Sequence, residues 1–436
     1  MSAPATELDV WLYGTRAATV RPAARGRSGI DVAWADAALG RWGVGSRVLS
    51  QLLPLGTPAG SHPARVRVWL EGLLPEGRAR DSMAREHRID PDDTLAFLAV
   101  YGRDTAGAVV LVPAGTPDPA TTARTEPIGE AGIAAMLRQA ASHGSTADRL
   151  DSLTSLAGME PKIALARAAD GWARVRDGAA STHILKLSRP PGTATSDLVD
   201  TEAAALDLAR RVGLTTVEAH VATFEDQRAL VVSRFDRTAS AGTKAVPGGP
   251  DTVGRVHQED LAQALGIATT DPDRKFQHGR ATPSYADAAR VLTDGGSTAD
   301  ALLRLVTFTV VVGNTDAHAK NHAFVRHADG ARASLAPAYD VSMHLHSPAS
   351  SGRLALAVDG RDDARAVGAG DLVAEGRSWG LAARRAARVV ADTLERMVAA
   401  LEDVDRERHP GVSAAAWAVV DGRARDLARQ AADPAG

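Results

Sequence analysis

The chain has 436 residues, 44% of them hydrophobic and 24% charged, with a formal net charge of −3 and no cysteine. This is the composition of a soluble globular protein of two or three domains, without disulfides, thiolate metal sites or a general attraction to nucleic acid. No apolar run is long enough for a transmembrane helix, so we expect a cytoplasmic protein without membrane contact.

Residues 1–125 are predicted to form a first domain of short strands and helices. Alternation over residues 8–13 predicts a strand, and more short strands are expected up to residue 55. Aspartates directly before residues 94–100 supply the N-cap and first turn of a helix. Residues 113–127, rich in Pro, Thr and Gly, are predicted to be the linker that ends this domain.

The rest of the chain divides into a strand-rich region, 126–255, and a mostly helical region, 256–436. Helices are predicted at 129–141 and 197–212, the second ended by Gly213. The predicted strands lie at 163–168, 172–176, 182–187, 217–223 and 229–233. We therefore predict an α+β fold with two lobes and an added N-terminal subdomain.

Asparagine occurs only twice in the chain, at Asn314 and Asn321, both directly after the largely apolar run 305–312. A chain so poor in asparagine is expected to keep it only where replacement is harmful. Asp316 and Asn321 are five residues apart, which is the spacing of the protein-kinase catalytic loop. There the aspartate accepts the proton of the substrate hydroxyl and the asparagine holds magnesium.

Phosphoryl transfer also needs a second metal ligand and a cation for the phosphates. Asp340 is the candidate ligand, because it lies a short strand-turn-strand beyond Asn321. Lys186 is the candidate cation, on an alternating strand, and Glu202 near the start of the next helix could pair with it. Lysine is scarce, five against forty-five arginines, and a compact ammonium suits phosphate as a point charge.

Each of these residues has a simpler explanation. Asp316 and Asn321 could only hold a turn through side-chain hydrogen bonds, and Asp340 could be a turn aspartate. Lys186 could be a solvated strand residue, and Glu202 a solvated carboxylate in the first turn of a helix.

Two further features carry weaker signals. His318 and His322 could bind a transition metal with Asp316, but no second cluster supplies more ligands, and we favour a role in shaping the loop. The small-residue segment from Ser155 to Lys162 lies before a strand, where a loop could cover nucleotide phosphates. It is not a Walker A motif.

Taken together, these segments resemble the HipA-like serine/threonine kinases, the toxin component of bacterial type II toxin–antitoxin modules. The resemblance covers nearly the whole chain, and its most specific elements are D-x-H-x-K-N and the later Y-D-V-S. The segments that carry it are Leu52–Leu55, Leu73–Gly77, Tyr101–Ala108, Ser155–Lys162, Thr182–Leu187, Arg234–Arg237, His257–Asp260, Gly313–Asn321 and Leu335–Ser342.

The resemblance implies a protein-kinase-like fold and a role for each site residue. Asp316 would be the catalytic base and Lys320 a second catalytic residue of the same loop, while Asn321 and Asp340 would bind Mg²⁺. The remaining residues would bind ATP: the phosphates at Gly158, Lys162 and Lys186, the adenine along the backbone at Ser233 and Phe235, and the ribose near Asp236. Ser155 matches a serine that some of these kinases autophosphorylate. Ser233 stands where glutamate is common, and Glu160 where glutamine is more usual.

We therefore predict an ATP- and Mg²⁺-dependent serine/threonine protein kinase of the HipA type. By the resemblance it would inhibit growth as a toxin, with an aminoacyl-tRNA synthetase as the implied substrate. A HipB-like antitoxin would link it indirectly to DNA. One alternative is a kinase for a small molecule or lipid. The other is a non-catalytic co-repressor that acts with a DNA-binding antitoxin.

Overall fold

The computed structural model describes residues 7–24, 29–142, 161–168, 171–190, 192–193, 195–238, 253–330 and 332–433. The first domain is a four-stranded antiparallel sheet in the order β3-β2-β1-β4, with four helices around it. Its elements are β1 (Leu8–Leu12), β2 (Thr15–Pro22), β3 (Ile30–Trp34), α1 (Asp36–Trp42), α2 (Pro63–Glu71), α3 (Gly77–His87), α4 (Thr94–Tyr101) and β4 (Val109–Pro113).

The predicted helix at 94–100 is confirmed as α4, and its start is explained by a side-chain cap. Asp93 accepts a hydrogen bond from the backbone N–H of Ala96 at 3.0 Å. The prediction of strands up to residue 55 is wrong beyond Trp34. There the chain forms α1, whose Ala38 is buried against the sheet, and then a strand-free segment.

The second sheet has six antiparallel strands in the order β5-β7-β6-β8-β10-β9. Apolar side chains such as Ile133 and Leu137 pack one helix, α5, against this sheet. The predicted domain boundary at residue 125 falls inside the first strand. The elements are β5 (Arg124–Ile128), α5 (Glu130–Ser142), β6 (Lys162–Ala168), β7 (Gly171–Arg176), β8 (His183–Leu187), α6 (Leu198–Arg211), β9 (Ala219–Phe224) and β10 (Gln227–Ser233).

The remaining part is mostly helical, as predicted, and its core surrounds α9, in which ten of thirteen residues are buried. A three-stranded sheet, β13-β14-β15, lies beside it. The sequence did not indicate β13, because three polar residues show no alternation. The elements are β11 (Arg237–Thr238), β12 (Gly254–Arg255), β13 (Gln258–Asp260), α7 (Leu261–Leu265), α8 (Tyr285–Asp294), α9 (Asp300–Val312), β14 (Ala323–Arg326), β15 (Ala333–Leu335), β16 (Arg353–Val358), β17 (Arg361–Asp363), α10 (Ala369–Ser378), α11 (Ala383–Asp403) and α12 (Ala414–Ala432).

Buried ion pairs attach the first domain to the rest of the chain. Asp104 lies 2.9 Å from Arg237 and 3.1 Å from Arg255, and all three side chains are at most 12% exposed. Ser50 donates a hydrogen bond to Glu259, a fully buried carboxylate that also pairs with Arg326. Because a buried charge without its partner is costly, these pairs hold the domain in one orientation.

Among the helices that the structure describes, none has both the length and the apolar character required to span a membrane.

Candidate active site

A cavity of about 240 Å³ lies where the three parts of the chain meet. Each predicted site residue within the described ranges lines this one cavity, together with Glu202. Ser155 and Gly158 lie outside the described residues, as does Glu160. The predicted residues that line the cavity are Lys162, Lys186, Ser233, Phe235, Asp236, Asp316, Lys320, Asn321 and Asp340.

Lys186 lies near the C-terminal end of β8 and forms the centre of a charged group on the cavity wall. Its Nζ atom is 2.6 Å from Oε1 of Glu202 on α6, so Glu202 pairs with the lysine and is not the solvated carboxylate that the sequence also allowed. It also contacts the carboxylate of Asp340. Burial alone would lower the pKa of Lys186, but the two carboxylates raise it above its usual range. The lysine is therefore charged and held in place.

Glu202 differs from an ordinary glutamate because its pKa is raised. It is buried on α6, and burial raises its pKa to about 7, although the ammonium of Lys186 opposes the rise. Lys162 lies opposite Lys186, because the two residues are paired across β6 and β8. The wall thus carries two ammonium groups at the position expected for phosphates.

Asp316 is presented by a turn at the C-terminal end of α9. The helix ends at Gly313, which adopts a left-handed φ of 70°. Oδ1 of Asn314 accepts a hydrogen bond from the Asp316 N–H at 3.1 Å, which confirms that Asn314 shapes the turn. The side chain of Asn321 donates to the Asp316 carbonyl at 2.8 Å. The Asp316 side chain is 58% exposed, so an acceptor hydroxyl can reach it.

Asn321 and Asp340 both line the cavity. The hairpin of β14 and β15 separates them along the chain, as predicted, and Asp340 follows it with a left-handed φ of 55°. Burial would raise the pKa of Asp340, but Lys186 and Lys162 lower it below its usual range, so the carboxylate stays charged. One carboxylate and one amide oxygen are hard ligands of the kind that Mg²⁺ prefers, and Mg²⁺ takes its other ligands from water and phosphates. The residues present therefore fit a magnesium ion.

The segment after β10 forms the opposite edge of the cavity. Phe235 stacks on Tyr339, with ring centroids 5.3 Å apart. The carboxylate of Asp236 accepts hydrogen bonds from Arg234 at 2.8 and 2.9 Å and from the N–H of Gly107 at 2.6 Å. These contacts give Asp236 a structural role that the sequence did not reveal. Its contact with a ribose stays a prediction.

Lys320 differs from the sequence-based expectation of a directly catalytic lysine. Its ammonium lies 3.1 Å from Glu76 and 3.5 Å from Asp260, and its side chain is only 5% exposed. Burial would lower its pKa, but Asp260 and Glu76 raise it. A buried ammonium needs such carboxylates, so its position is set by them and not by an acceptor in the open part of the cavity.

The two histidines of the loop are buried and neutral. Burial lowers the pKa of His318 to about 3 and that of His322 to about 4. His318 packs edge-on against Phe276, and Nε2 of His322 lies 3.1 Å from the Ala317 carbonyl. Within the described ranges, no group of three or more His, Cys, Asp or Glu side chains is arranged to hold a metal. These contacts support a role in shaping the loop.

Sequence reasoning missed three residues at this site: Glu76, Asp260 and Lys275. Lys275 Nζ lies 3.2 Å from the second carboxylate oxygen of Glu76. One available signal was that Lys275 is among only five lysines in the chain. Glu76 and Asp260 also stand inside two of the segments on which the family resemblance depends.

A two-lobed fold with an exposed aspartate, a further carboxylate and amide, and a carboxylate-paired lysine around one cleft is the arrangement of a protein-kinase-like phosphotransferase. Two family models match the chain: the HipA-like C-terminal domain over residues 154–401 and the HipA N-terminal domain over residues 8–112. The chain belongs to the HipA family.

Individual relatives agree with this assignment. A Sinorhizobium fredii protein, Y4mE, whose name describes it as a kinase, is 30% identical over 355 residues, covering 77% of this chain and 79% of the relative. The serine/threonine-protein kinase toxin HipA of Shewanella oneidensis is 28% identical over 338 residues, covering 75% and 73%. The protein is thus a kinase.

The fold is also that of a solved structure. A chain from the Shewanella oneidensis complex of HipA, HipB and operator DNA superposes with a TM-score of 0.75 and 22% identity, covering 97% of this chain and 96% of that one. This likeness confirms the predicted α+β, kinase-like fold.

Proposed function

We propose that this protein is an ATP- and Mg²⁺-dependent serine/threonine protein kinase of the HipA type. The observation that carries the proposal is the meeting of Asp316, Asn321, Asp340 and Lys186 at one cavity, although they come from three separate parts of the chain. A structural turn would explain Asp316 and Asn321 alone. It would not explain a charged lysine and a second carboxylate at the same place.

The proposed mechanism assigns one task to each of these residues. The oxygen of a serine or threonine hydroxyl forms a bond to the terminal phosphorus of ATP, the bond to the ADP oxygen breaks, and the hydroxyl proton passes to Asp316. Lys186, oriented by Glu202, offsets phosphate charge. Asn321 and Asp340 would hold Mg²⁺, which when bound neutralises charge on the phosphate oxygens.

We further propose that the protein acts as a growth-inhibiting toxin restrained by a HipB-like antitoxin that binds DNA. Support comes from the Shewanella relative, which is named a kinase toxin, and from the complex of its solved counterpart with HipB and operator DNA. An aminoacyl-tRNA synthetase as substrate and autophosphorylation of Ser155 rest on the family resemblance. Growth of cells that express the wild type, compared with Asp316→Asn, tests the toxin role.

The decisive experiment is incubation of the purified protein with labelled ATP and Mg²⁺, followed by mapping of phosphosites. We expect label on Ser155 in the wild type. In Asp316→Asn we expect label to fall by about 10²- to 10⁴-fold, the usual contribution of a general base, with ATP binding retained.

The outcomes separate the alternatives. Transfer to a metabolite or lipid without labelling of any protein would favour a small-molecule or lipid kinase. A wild-type protein that binds no ATP and labels nothing would contradict the kinase proposal and favour a non-catalytic co-repressor.

A further inference from the structure

The segment that follows α2 reaches from the first domain to the catalytic loop. Oε1 of Glu76 lies 3.1 Å from Nζ of Lys320, and Oε2 lies 3.2 Å from Nζ of Lys275. The carbonyl of Gly72, at the C-terminal end of α2, accepts a further hydrogen bond from Lys320 at 3.4 Å. The C-terminal end of a helix favours a cation, because the helix dipole is negative there.

Lys320 stands inside the loop that carries the chemistry, between Asp316 and Asn321. The backbone N–H of Asn321 bonds to the carbonyl of His318 at 2.9 Å, so the loop is a short, tightly hydrogen-bonded unit. A shift of the Lys320 ammonium is therefore transmitted to both functional side chains, each at most four residues away along the chain.

The group of four charges is balanced and buried. Two ammonium groups, Lys275 and Lys320, face two carboxylates, Glu76 and Asp260, and each residue is under 9% exposed. Burial would raise the pKa of Glu76, but Lys320 and Lys275 lower it, so it is charged at neutral pH. Removing only one member leaves an uncompensated buried charge, which the structure can relieve by moving the loop.

The end of α2 also helps to position Asp260, the second carboxylate beside Lys320, through Gln263. Asp260 caps α7 by accepting from the N–H of Gln263 at 2.8 Å, and Nε2 of Gln263 donates to the carbonyl of Trp69 at 3.0 Å. The approach is close, because a Cβ on Gly72 would lie 2.3 Å from Cγ of Gln263. The end of α2 thus contacts Gln263, the residue that holds Asp260 in place, and the same segment carries Glu76 a few residues later.

We propose that Glu76 is a positioning residue for phosphoryl transfer, which makes the geometry of the catalytic loop depend on the docked first domain. This inference rests on the proposed kinase activity. Glu76 touches no reacting atom in this account. It acts through Lys320. The first domain then contributes to the geometry of the active site as well as packing against the rest of the chain.

The test is Glu76→Gln, which keeps the size of the side chain and removes its charge. We expect kcat to fall by about 10- to 100-fold, as small displacements of catalytic groups do, with the KM for ATP within about twofold of wild type. The KM is spared because Lys186 and the segment after β10 are untouched. Adding Lys275→Met restores the balance of one ammonium to one carboxylate, and this double variant should recover most of kcat.

A matched control breaks a different contact between the first domain and the helical part. The hydroxyl of Tyr13 accepts from the N–H of His257 at 2.8 Å and donates to the carbonyl of Arg326 at 3.2 Å, away from the catalytic loop. Tyr13→Phe should leave kcat near that of wild type. Equal losses in Tyr13→Phe and Glu76→Gln, or no recovery in the double variant, would overturn the inference.

Amide hydrogen exchange supplies a second readout that does not need activity. In Glu76→Gln, peptides that contain residues 316–322 should exchange faster than in wild type, whereas in Tyr13→Phe they should not. Unchanged exchange in Glu76→Gln would contradict the inference even if the wild type proved inactive. An inactive wild type with the expected exchange would contradict only the kinase proposal.

Discussion

At the scale of single residues, the rare residue types of this chain are concentrated where the chemistry is expected. Both asparagines hold the same loop: Asn314 accepts from the Asp316 N–H, and Asn321 donates to the Asp316 carbonyl. The spacing of Asp316 and Asn321 was visible in the sequence. The second hydrogen bond was not, because it depends on how the loop folds back on itself.

Glu202 is expected to control nucleotide affinity through Lys186. In Glu202→Gln the lysine loses a charged partner at 2.6 Å, so we expect the dissociation constant for ATP to rise about tenfold, as for loss of a charge-assisted hydrogen bond. Calorimetric titration measures this change. Asp207→Asn is the control, since Asp207 lies on the same helix and pairs with His409 and Arg211 instead.

The same pair predicts a pH dependence. Because the pKa of Glu202 is raised to about 7, its carboxylate takes up a proton as the pH falls below 7, and the bond to Lys186 weakens. ATP affinity in the wild type should therefore decrease between pH 8 and pH 6 more steeply than in Glu202→Gln. If ATP affinity changed with pH equally in the wild type and in Glu202→Gln, this role of the Glu202 carboxylate would be refuted.

At the scale of elements, the active loop is the continuation of the buried helix α9. The apolar run in the sequence predicted that a buried segment would end at a polar cluster, and the structure agrees. The left-handed turn at Gly313 brings the chain round to Asp316. A Cβ there would lie 2.7 Å from Cγ of Leu345, so both backbone and packing require glycine at this position.

Gly313→Ala is expected to destabilise the protein and misplace Asp316. The matched control is Gly213→Ala, at the end of α6, where φ is 78° and a Cβ would meet nothing within 4 Å. Gly213→Ala should lower the free energy of unfolding by about 1 kcal/mol, because alanine is strained in the left-handed backbone. Gly313→Ala should lower the free energy of unfolding by about 1–3 kcal/mol more than the control, because its Cβ overpacks against Leu345. Urea unfolding measures the difference, and equal costs would show that Leu345 adjusts freely.

At the scale of the whole molecule, buried ionic groups connect the three parts. Asp104 pairs with arginines that follow β10, and Glu76 pairs with lysines of the helical part. The family resemblance indicated that both segments matter but not what they contact. Each acidic residue meets partners at least 130 positions away along the chain, and no local pattern reveals such a pair.

Stability is predicted to fall in mild acid. Burial lowers the pKa of five histidines, to about 4 for His183, His322 and His344, to about 3 for His318, and below its usual value for His257. Their unfolded pKa is about 6.5, so below that value the unfolded chain binds more protons than the folded protein. Stability from these groups is present above pH 6.5 and is lost as the pH falls towards 4, at up to about 1.4 kcal/mol per pH unit for each histidine.

Urea midpoints at pH 7.5, 6.5 and 5.5 measure this effect. We expect the urea midpoint to decrease over the series. In His322→Gln the decrease should be smaller, because the new side chain does not titrate while its amide still donates to the Ala317 carbonyl. A midpoint that stays constant down to pH 5.5 would show that the histidines are protonated in the folded protein.

The sequence alone determined the order of most strands and helices, the loop that carries Asp316 and Asn321, and the candidate site residues Lys186 and Asp340. These features follow from periodicity, short spacings and rare residues, which are properties of neighbouring positions. Only the tertiary structure decided what the charges of Glu76, Asp236 and Lys320 do. From the sequence, Glu76 had no assigned role, and Asp236 and Lys320 had roles only through the family resemblance. Burial against distant partners is what makes each of them specific.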